Sequence, residues 1–122
     1  DIREHNMHAE YFSISSNSLC KLQSFKKSRR PIICLGTTTV RVLETIAQYN
    51  FENNSGWTDL FIYPPYNFSM VQGLFTNFHL PKSTLLIMVS AFYGRKKLLE
   101  AYCAAVEEKY RFFSYGDCML IL

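Results

Sequence analysis

The sequence predicts an α/β layered domain in which a mainly parallel sheet is flanked by helices. Short apolar runs alternate along the chain with segments whose apolar residues recur at helical spacing. The chain has 122 residues, of which 48% are hydrophobic and 19% are charged, and this suits one globular domain of modest size. We therefore expect one structural unit over residues 1–122.

The first half of the chain is predicted to hold two strands and two helices. Alternation predicts a strand over residues 11–14, and the serines that follow can cap a helix that runs to Lys27. The apolar run Pro31–Leu35 ends at a glycine and is typical of a buried strand. Apolar residues on one side then predict a helix over residues 37–49, and a polar loop is expected over residues 50–56.

Two extended segments are predicted next. Residues 60–63 are predicted to form a strand, which ends at the two prolines that follow. Residues 70–78 are expected to be extended, with a bend at Gly73.

The remaining residues predict helices and a last strand. A helix entry at residues 81–84 precedes the apolar segment 85–93, and residues 95–110 form the clearest amphipathic helix. The run 119–122 is apolar and predicts a strand. The apolar side of the helix over residues 95–110 is expected to consist of Leu98, Leu99, Tyr102, Cys103 and Val106.

Charge and cysteine content restrict the function only weakly. The net charge of +3 is compatible with a nucleic-acid partner, and the basic residues at 26, 27, 29 and 30 either contact RNA or complement a helix dipole. The four cysteines lack the C-x-x-C spacing of a zinc knuckle or redox pair, and each is expected to be a buried thiol. Without a signal-peptide pattern or a membrane-length apolar segment, the expected location is the cytoplasm.

Two histidines and a carboxylate lie close together near the start of the chain, at His5, His8 and Glu10. Such groups can transfer protons, bind a substrate hydroxyl or bind a metal. In an extended segment His8 and Glu10 share a face while His5 points the other way, and this argues against a three-ligand metal site. A polar surface turn remains the alternative.

The predicted junction between strand and helix at Gly36 carries Thr37 and Thr38, with Arg41 one turn further on. Free backbone N–H groups at a helix start attract anions, and an arginine can bind a carboxylate or phosphate. Threonine capping and a surface pair between Arg41 and Glu44 explain the same residues. Spacing does not decide between these interpretations.

Hydrogen-bonding groups are unusually dense over residues 76–84, between two apolar segments. This density is typical of a site for a polar ligand, and helix capping accounts for only part of it. The side chains concerned include Thr76, Asn77, His79, Lys82 and Ser83.

Aromatic residues stand beside charged ones over residues 111–117. Such a group can stack on a base and hydrogen-bond to its edge, or it can be core aromatics followed by a turn. We assign Phe112 and Phe113 to the core, and Tyr115 and Asp117 to ligand binding.

Five motifs follow one another along the chain: His-Asn-Met-His-Ala-Glu, Gly-Thr-Thr-Thr-Val-Arg-Val-Leu-Glu, Gly-Trp-Thr-Asp-Leu-Phe-Ile-Tyr-Pro, Thr-Asn-Phe-His-Leu-Pro-Lys-Ser-Thr-Leu-Leu and Tyr-Arg-Phe-Phe-Ser-Tyr-Gly-Asp. Together they resemble the C-terminal signatures of the S-adenosylmethionine:tRNA ribosyltransferase-isomerases of queuosine biosynthesis. The resemblance implies that residues 1–122 are the C-terminal portion of that family's α/β domain, without its β-barrel domain.

The resemblance also implies a reaction. The ribosyl moiety of S-adenosylmethionine is transferred and isomerised onto 7-aminomethyl-7-deazaguanine at the wobble position of tRNA, and epoxyqueuosine-tRNA, adenine and methionine are formed. S-adenosylmethionine is then a co-substrate, and no further cofactor, metal or membrane is expected. We also expect a monomer.

Roles for the residues follow from this resemblance as expectations. Proton transfer and catalysis are assigned to His8, Glu10 and His79. Substrate binding is assigned to His5, Thr37, Thr38, Arg41, Thr76, Asn77, Lys82, Ser83, Tyr115 and Asp117. Two alternatives stay open, namely a noncatalytic tRNA- or nucleotide-binding module of the same family and a metal-dependent hydrolase built on the first motif.

Overall fold

The chain forms four helices and two small sheets in a computed structural model that describes residues 6–79 and 83–122. The α/β class is therefore confirmed. In chain order the elements are β1 (Glu10–Ser13), α1 (Ser16–Lys27), β2 (Ile33–Leu35), α2 (Thr37–Gln48), β3 (Ser55–Thr58), β4 (Gly73–Asn77), α3 (Thr84–Tyr93), α4 (Arg95–Glu107) and β5 (Cys118–Ile121).

The sheets are only partly parallel. Strands β1 and β3 form an antiparallel two-stranded sheet, and β2, β4 and β5 form a three-stranded sheet in the order β2-β4-β5. In the latter, β2 and β4 are parallel while β4 and β5 are antiparallel. The prediction of a mainly parallel sheet is thus correct for one of these two pairings, because the chain leaves α4 through residues 108–117 and returns along β4 in the opposite direction.

The helix starts agree with the cap chemistry of the sequence. The Ser15 side chain accepts a hydrogen bond from the Ser18 backbone N–H at 3.0 Å, and Ser83 does the same for Leu86 at 3.1 Å. Each serine satisfies one N–H group that has no partner within its helix. Ser83, predicted to bind substrate, therefore serves as the N-cap of α3.

The core is built around α2 and the three-stranded sheet. The predicted apolar face of α2 is buried, and Leu74 of β4 is fully buried beside it. In α4 the buried stripe is Leu98, Tyr102 and Ala105, whereas Leu99 and Val106 are exposed. The predicted apolar side is therefore correct for Leu98 and Tyr102 and wrong for Leu99, Cys103 and Val106, because the buried positions follow a single line spaced four and three residues apart.

One predicted strand is wrong. Residues 60–63 form no strand among the described residues, and the ladder partner of β1 is β3, which begins within the last two residues of the predicted loop 50–56. The backbone carbonyl of Leu60 accepts from Arg41 instead of from a neighbouring strand. Gly73 begins β4, where a Cβ atom would lie 2.9 Å from the Ile121 carbonyl oxygen, so close strand approach explains this glycine.

One face of the three-stranded sheet is open. Cys34 points into the core, but its neighbours in β2 are exposed, so the predicted buried strand is covered on one face only. Burial raises the pKa of the Cys34 thiol to about 12, with a smaller contribution from the nearby Glu44 carboxylate. The other three cysteines are Cys20, Cys103 and Cys118. All three are exposed, so the prediction that each is a buried thiol was wrong for them.

Of the helices in residues 6–79 and 83–122, none combines the length and the apolar character needed to cross a bilayer.

Candidate active-site cleft

A cleft of about 310 Å³ opens at the carboxyl ends of the parallel strands β2 and β4. Ligands of open α/β sheets bind at this edge, since side chains from adjacent strand ends meet there. The cleft is lined by Leu35, Gly36, Thr37, Phe75, Thr76, Asn77, His79 and Cys118. It thus joins the start of α2 to the first part of the polar segment 76–84, two motifs that are far apart in the sequence.

His79 is the only histidine, among the described residues, on the wall of this cleft. Its Nε2 atom lies 2.7 Å from Thr76 Oγ1, and its backbone N–H donates to the Tyr102 hydroxyl at 2.7 Å. The first contact orients the imidazole and the second holds the backbone of His79, each through a buried neighbour. Burial also lowers the pKa of His79, so the neutral ring that can accept a proton is favoured near neutral pH.

The lowered pKa of His79 has a measurable consequence for stability. The unfolded chain takes up a proton at this position near pH 6.5, whereas the folded chain does so only at lower pH, so the contribution to stability is complete above pH 6.5 and is lost as pH falls. We expect the melting temperature of the His79→Gln variant to change less than that of wild type between about pH 7.5 and about pH 5.5. Equal pH dependence in thermal unfolding would show that His79 titrates normally.

The start of α2 presents backbone N–H groups to the cleft. Gly36 has a φ of 89°, which favours glycine, and its N–H donates to the Phe75 carbonyl at 2.8 Å. No described side chain caps α2. Thr37 lines the cleft, whereas Thr38 is exposed outside the lining. The start of α2 thus borders the cleft without a side-chain cap, an arrangement that favours an anionic group such as a carboxylate.

The loop of residues 111–117 borders the cleft. The Asn77 side-chain amide donates to the Asp117 carbonyl at 3.3 Å, and the Asp117 carboxylate accepts from the Arg111 backbone N–H at 2.7 Å. This hydrogen bond, with that from the Arg111 side chain, lowers the pKa of Asp117. Asp117 is thus engaged in closing its own loop, and Tyr115 at the tip is fully exposed.

The two phenylalanines of this loop differ from each other. Phe112 stacks on the buried Phe78 with ring centroids 4.9 Å apart, as expected of a core residue. Phe113 is half exposed and has a φ of 67°, so its assignment to the core was wrong. A Cβ atom on Gly116 would lie 2.6 Å from the Phe112 carbonyl oxygen, and the tight loop therefore requires glycine there.

Arg41, predicted to bind substrate, is buried away from solvent. Its guanidinium donates to the carbonyl oxygens of Leu60, His8 and Thr58 at 3.0, 3.2 and 3.4 Å, and to the Glu10 carboxylate at 2.9 Å. These acceptors use four of the five N–H donors of the side chain. We therefore assign Arg41 to holding the two-stranded sheet against α2.

Glu44 is also a structural residue, and it does not pair with Arg41. Its carboxylate accepts from the backbone N–H groups of Ser69 and Met70 at 2.8 and 2.9 Å, and from the Ser69 hydroxyl at 3.2 Å. Burial raises the pKa of Glu44, although these hydrogen bonds act in the opposite direction.

His8 and Glu10 belong to the neighbourhood of the two-stranded sheet rather than to the cleft lining. The His8 side chain is exposed, and Glu10 is held by Arg41. Within residues 6–79 and 83–122, no group of three possible metal ligands is present. The predictions for His5 and Lys82 fall outside the described residues.

Sequence reasoning missed Tyr102 as a site residue. It was placed on the apolar side of a helix, although a buried tyrosine hydroxyl usually needs a hydrogen-bond partner. That requirement is the signal that could have pointed to its contact with His79.

Comparisons with known proteins agree on one family. The family described as "Queuosine biosynthesis protein" matches residues 1–121. The S-adenosylmethionine:tRNA ribosyltransferase-isomerase of Sulfurihydrogenibium sp. (strain YO3AOP1) is 54% identical over 100% of this chain and 36% of its own length. That of Carboxydothermus hydrogenoformans is also 54% identical, with the same shares covered.

A solved structure extends this likeness to the fold. The crystal structure of S-adenosylmethionine tRNA ribosyltransferase from Thermotoga maritima matches with a TM-score of 0.83 and 48% identity, over 92% of this chain and 40% of that chain. The chain thus spans about a third of the length of the curated relatives it matches. The chain belongs to the queuosine biosynthesis family of S-adenosylmethionine:tRNA ribosyltransferase-isomerases.

Proposed function

We propose that this chain is the C-terminal portion of a tRNA-modifying transferase-isomerase and contributes a wall of its active site. The reaction is transfer and isomerisation of the ribosyl moiety of S-adenosylmethionine onto 7-aminomethyl-7-deazaguanine at the tRNA wobble position, with epoxyqueuosine-tRNA, adenine and methionine as products. The observation that carries the proposal is the cleft in which a neutral, fixed His79 faces the open start of α2.

In this proposal His79 is the principal proton-transfer residue. The reaction needs a base for a proton beside the sulfonium and an acid for the departing adenine, and a neutral imidazole held by Thr76 can take the first role. Asn77 and Thr76 would hydrogen-bond to ribose or base atoms. Thr37 and the N–H groups at the start of α2 would hold the methionine carboxylate.

The other predicted residues keep narrower roles. We propose His8 and Glu10 for proton transfer from the side of the two-stranded sheet, with Glu10 positioned by Arg41. Tyr115 would stack on a base, on a loop that Asp117 closes. Thr38, His5 and Lys82 remain predicted substrate contacts. We also propose that the protein is a monomer that acts in the cytoplasm. S-adenosylmethionine is its co-substrate, and the proposed reaction uses no metal.

A noncatalytic tRNA- or nucleotide-binding module is the second candidate. The observation in its favour is that two of the three predicted catalytic residues, His8 and Glu10, lie outside the cleft lining. Such a module would keep the cleft and bind a nucleotide without turning it over.

Calorimetric titration of the chain with S-adenosylmethionine tests the proposed site. We expect binding by wild type, and an affinity about fivefold to tenfold weaker for Asn77→Ala, because one hydrogen bond is worth about 1 kcal/mol. Asn67→Ala is the matched control, since Asn67 is exposed outside the cleft lining. A folded wild-type chain without binding, or equal losses in both variants, would remove the cleft from the proposal.

A further inference from the structure

The basic residues of this chain are concentrated on one exposed helix. Between Tyr11 and Leu43 the sequence has six Lys or Arg residues and no Asp or Glu, although the whole chain has ten acidic residues. One of the six, Arg41, is buried and paired with Glu10. The other five are all exposed, on α1 or directly after it: Lys21, Lys26, Lys27, Arg29 and Arg30.

These five cations form no salt bridge within the part of the chain that the structure describes. The salt bridges found there are Arg41–Glu10 and Arg111–Asp117. The positive charge at the end of α1 is therefore not paired with a described carboxylate at contact distance.

Aromatic rings, rather than carboxylates, lie next to two of these cations. Lys26 and Arg30 lie over the rings of Phe51 and Phe25, at 5.6 and 5.7 Å from the ring centroids. Lys26 also attracts the Glu44 carboxylate from beyond salt-bridge distance, but that group is buried and already accepts three hydrogen bonds. Both cations consequently keep their charge available to an external anion.

Complementing the helix dipole explains only part of the cluster. Lys26 and Lys27 lie in the last turn of α1, where cations are favoured. Lys21 lies more than a turn earlier, while Arg29 and Arg30 follow the end of the helix. Four of the cations thus fall within five consecutive positions and repel one another. This repulsion costs the isolated chain energy that an external polyanion would offset.

The surface also has polar groups that suit a phosphate chain. One face of α1 and its C-cap carries Gln23, Ser24, Lys27 and Ser28 side by side. Hydroxyl, amide and ammonium groups of this kind make the usual contacts to phosphate oxygens. No residue of α1 is fully buried, so the helix offers most of its surface to a partner.

We propose that α1 and residues 28–30 form a phosphate-binding surface for the sugar-phosphate backbone of RNA. This inference rests on the proposed function, because that reaction has tRNA as its acceptor. Residues 28–30 of this surface lead into the amino end of β2, and the cleft lies at the carboxyl end of the same strand. Since β2 has three residues and each adds about 3.3 Å, roughly 10 Å of strand separates them, a span that a folded RNA can cover.

The test compares two triple variants that remove the same charge. In the first, Lys21→Gln, Lys27→Gln and Arg29→Gln remove three of the five positive charges of the α1 surface and spare Lys26 and Arg30, which lie over aromatic rings. In the second, Arg95→Gln, Lys96→Gln and Lys97→Gln remove two Lys and one Arg from the start of α4, all exposed. Binding of a fluorescent anticodon stem-loop RNA is measured by anisotropy over a range of salt concentrations.

The α1 variant is expected to bind RNA about 10- to 100-fold more weakly at low salt, and the slope of log K against log salt should flatten by about 2. The α4 variant should bind like wild type. Equal effects of the two triple variants, or no RNA binding by wild type, would overturn the inference.

Two further measurements distinguish loss of RNA contact from damage to the cleft and from membrane binding. Titration with S-adenosylmethionine should be unchanged in the α1 variant, so failure of the cleft and failure of the RNA surface can be told apart. Anionic phosphatidylserine vesicles serve as a competing polyanion. If the α1 variant loses vesicle binding and keeps RNA binding, the surface faces a membrane instead and the inference is wrong.

Discussion

The His79→Ala variant is expected to release adenine from S-adenosylmethionine about 10²- to 10⁴-fold more slowly than wild type, in the presence of tRNA that carries the aminomethyl base. The imidazole is half-buried, fixed by Thr76 and kept neutral by the burial that lowers its pKa. Alanine removes the only imidazole that lines the cleft among the described residues. The readout is adenine measured by chromatography in single-turnover reactions.

A conservative variant separates proton transfer from packing at this position. His79→Gln can retain the hydrogen bond to Thr76 and fill the same space, but it cannot exchange a proton at neutral pH. We expect S-adenosylmethionine binding close to wild type and turnover as slow as that of the alanine variant. If either variant turns over at the wild-type rate, His79 has no catalytic role. A folded wild-type chain that binds without releasing adenine would support the noncatalytic module.

The Arg41→Ala variant is expected to lower the free energy of unfolding by roughly 3–5 kcal/mol. The side chain is 5% exposed and donates to three backbone carbonyls and one carboxylate, so its removal leaves buried acceptors without a donor and a cavity beside α2. The measurement is urea unfolding followed by circular dichroism. Because a small domain has little stability to spare, we expect a substantial unfolded fraction of this variant even without urea.

Two controls sharpen the prediction for Arg41. Arg111→Ala removes an arginine whose side chain is 75% exposed and should change stability by less than about 0.5 kcal/mol. Arg41→Lys keeps the charge but cannot reach four acceptors with one ammonium, so an intermediate loss is expected. Unchanged stability together with lost S-adenosylmethionine affinity would instead restore Arg41 as a substrate ligand.

Local chemistry is what the sequence predicted well. The cap at Ser15 depends on a residue three positions away, and the apolar face of α2 depends on a repeat within one helix. The polar segment that starts at Thr76 also acts locally, since its hydroxyl meets His79 three residues later. The family motifs could be recognised for the same reason, because each is a short continuous string.

Contacts between distant segments explain the predictions that were wrong. Arg41 meets a carboxylate 31 positions away, and Glu44 meets backbone groups 25 and 26 positions away. The i, i+3 pair between them, which spacing allowed as one interpretation, therefore does not form. Residues 60–63 have strand-like composition, but the Leu60 carbonyl is already bonded to Arg41. These long-range partners of Arg41, Glu44 and Leu60 cannot be predicted from the residues next to them in the sequence.

The strand pairing has a consequence for the rate of folding. The pairs nearest in sequence, such as Ile33 with Gly73, are 40 positions apart, and Leu74 with Ile121 is 47 apart. Large loops must therefore close before either sheet gains a hydrogen bond, whereas each helix needs only its own residues. Helical structure should consequently appear first after dilution from denaturant. During synthesis, the edges of β1 and β2 should stay unpaired until β3 and β4 have been made.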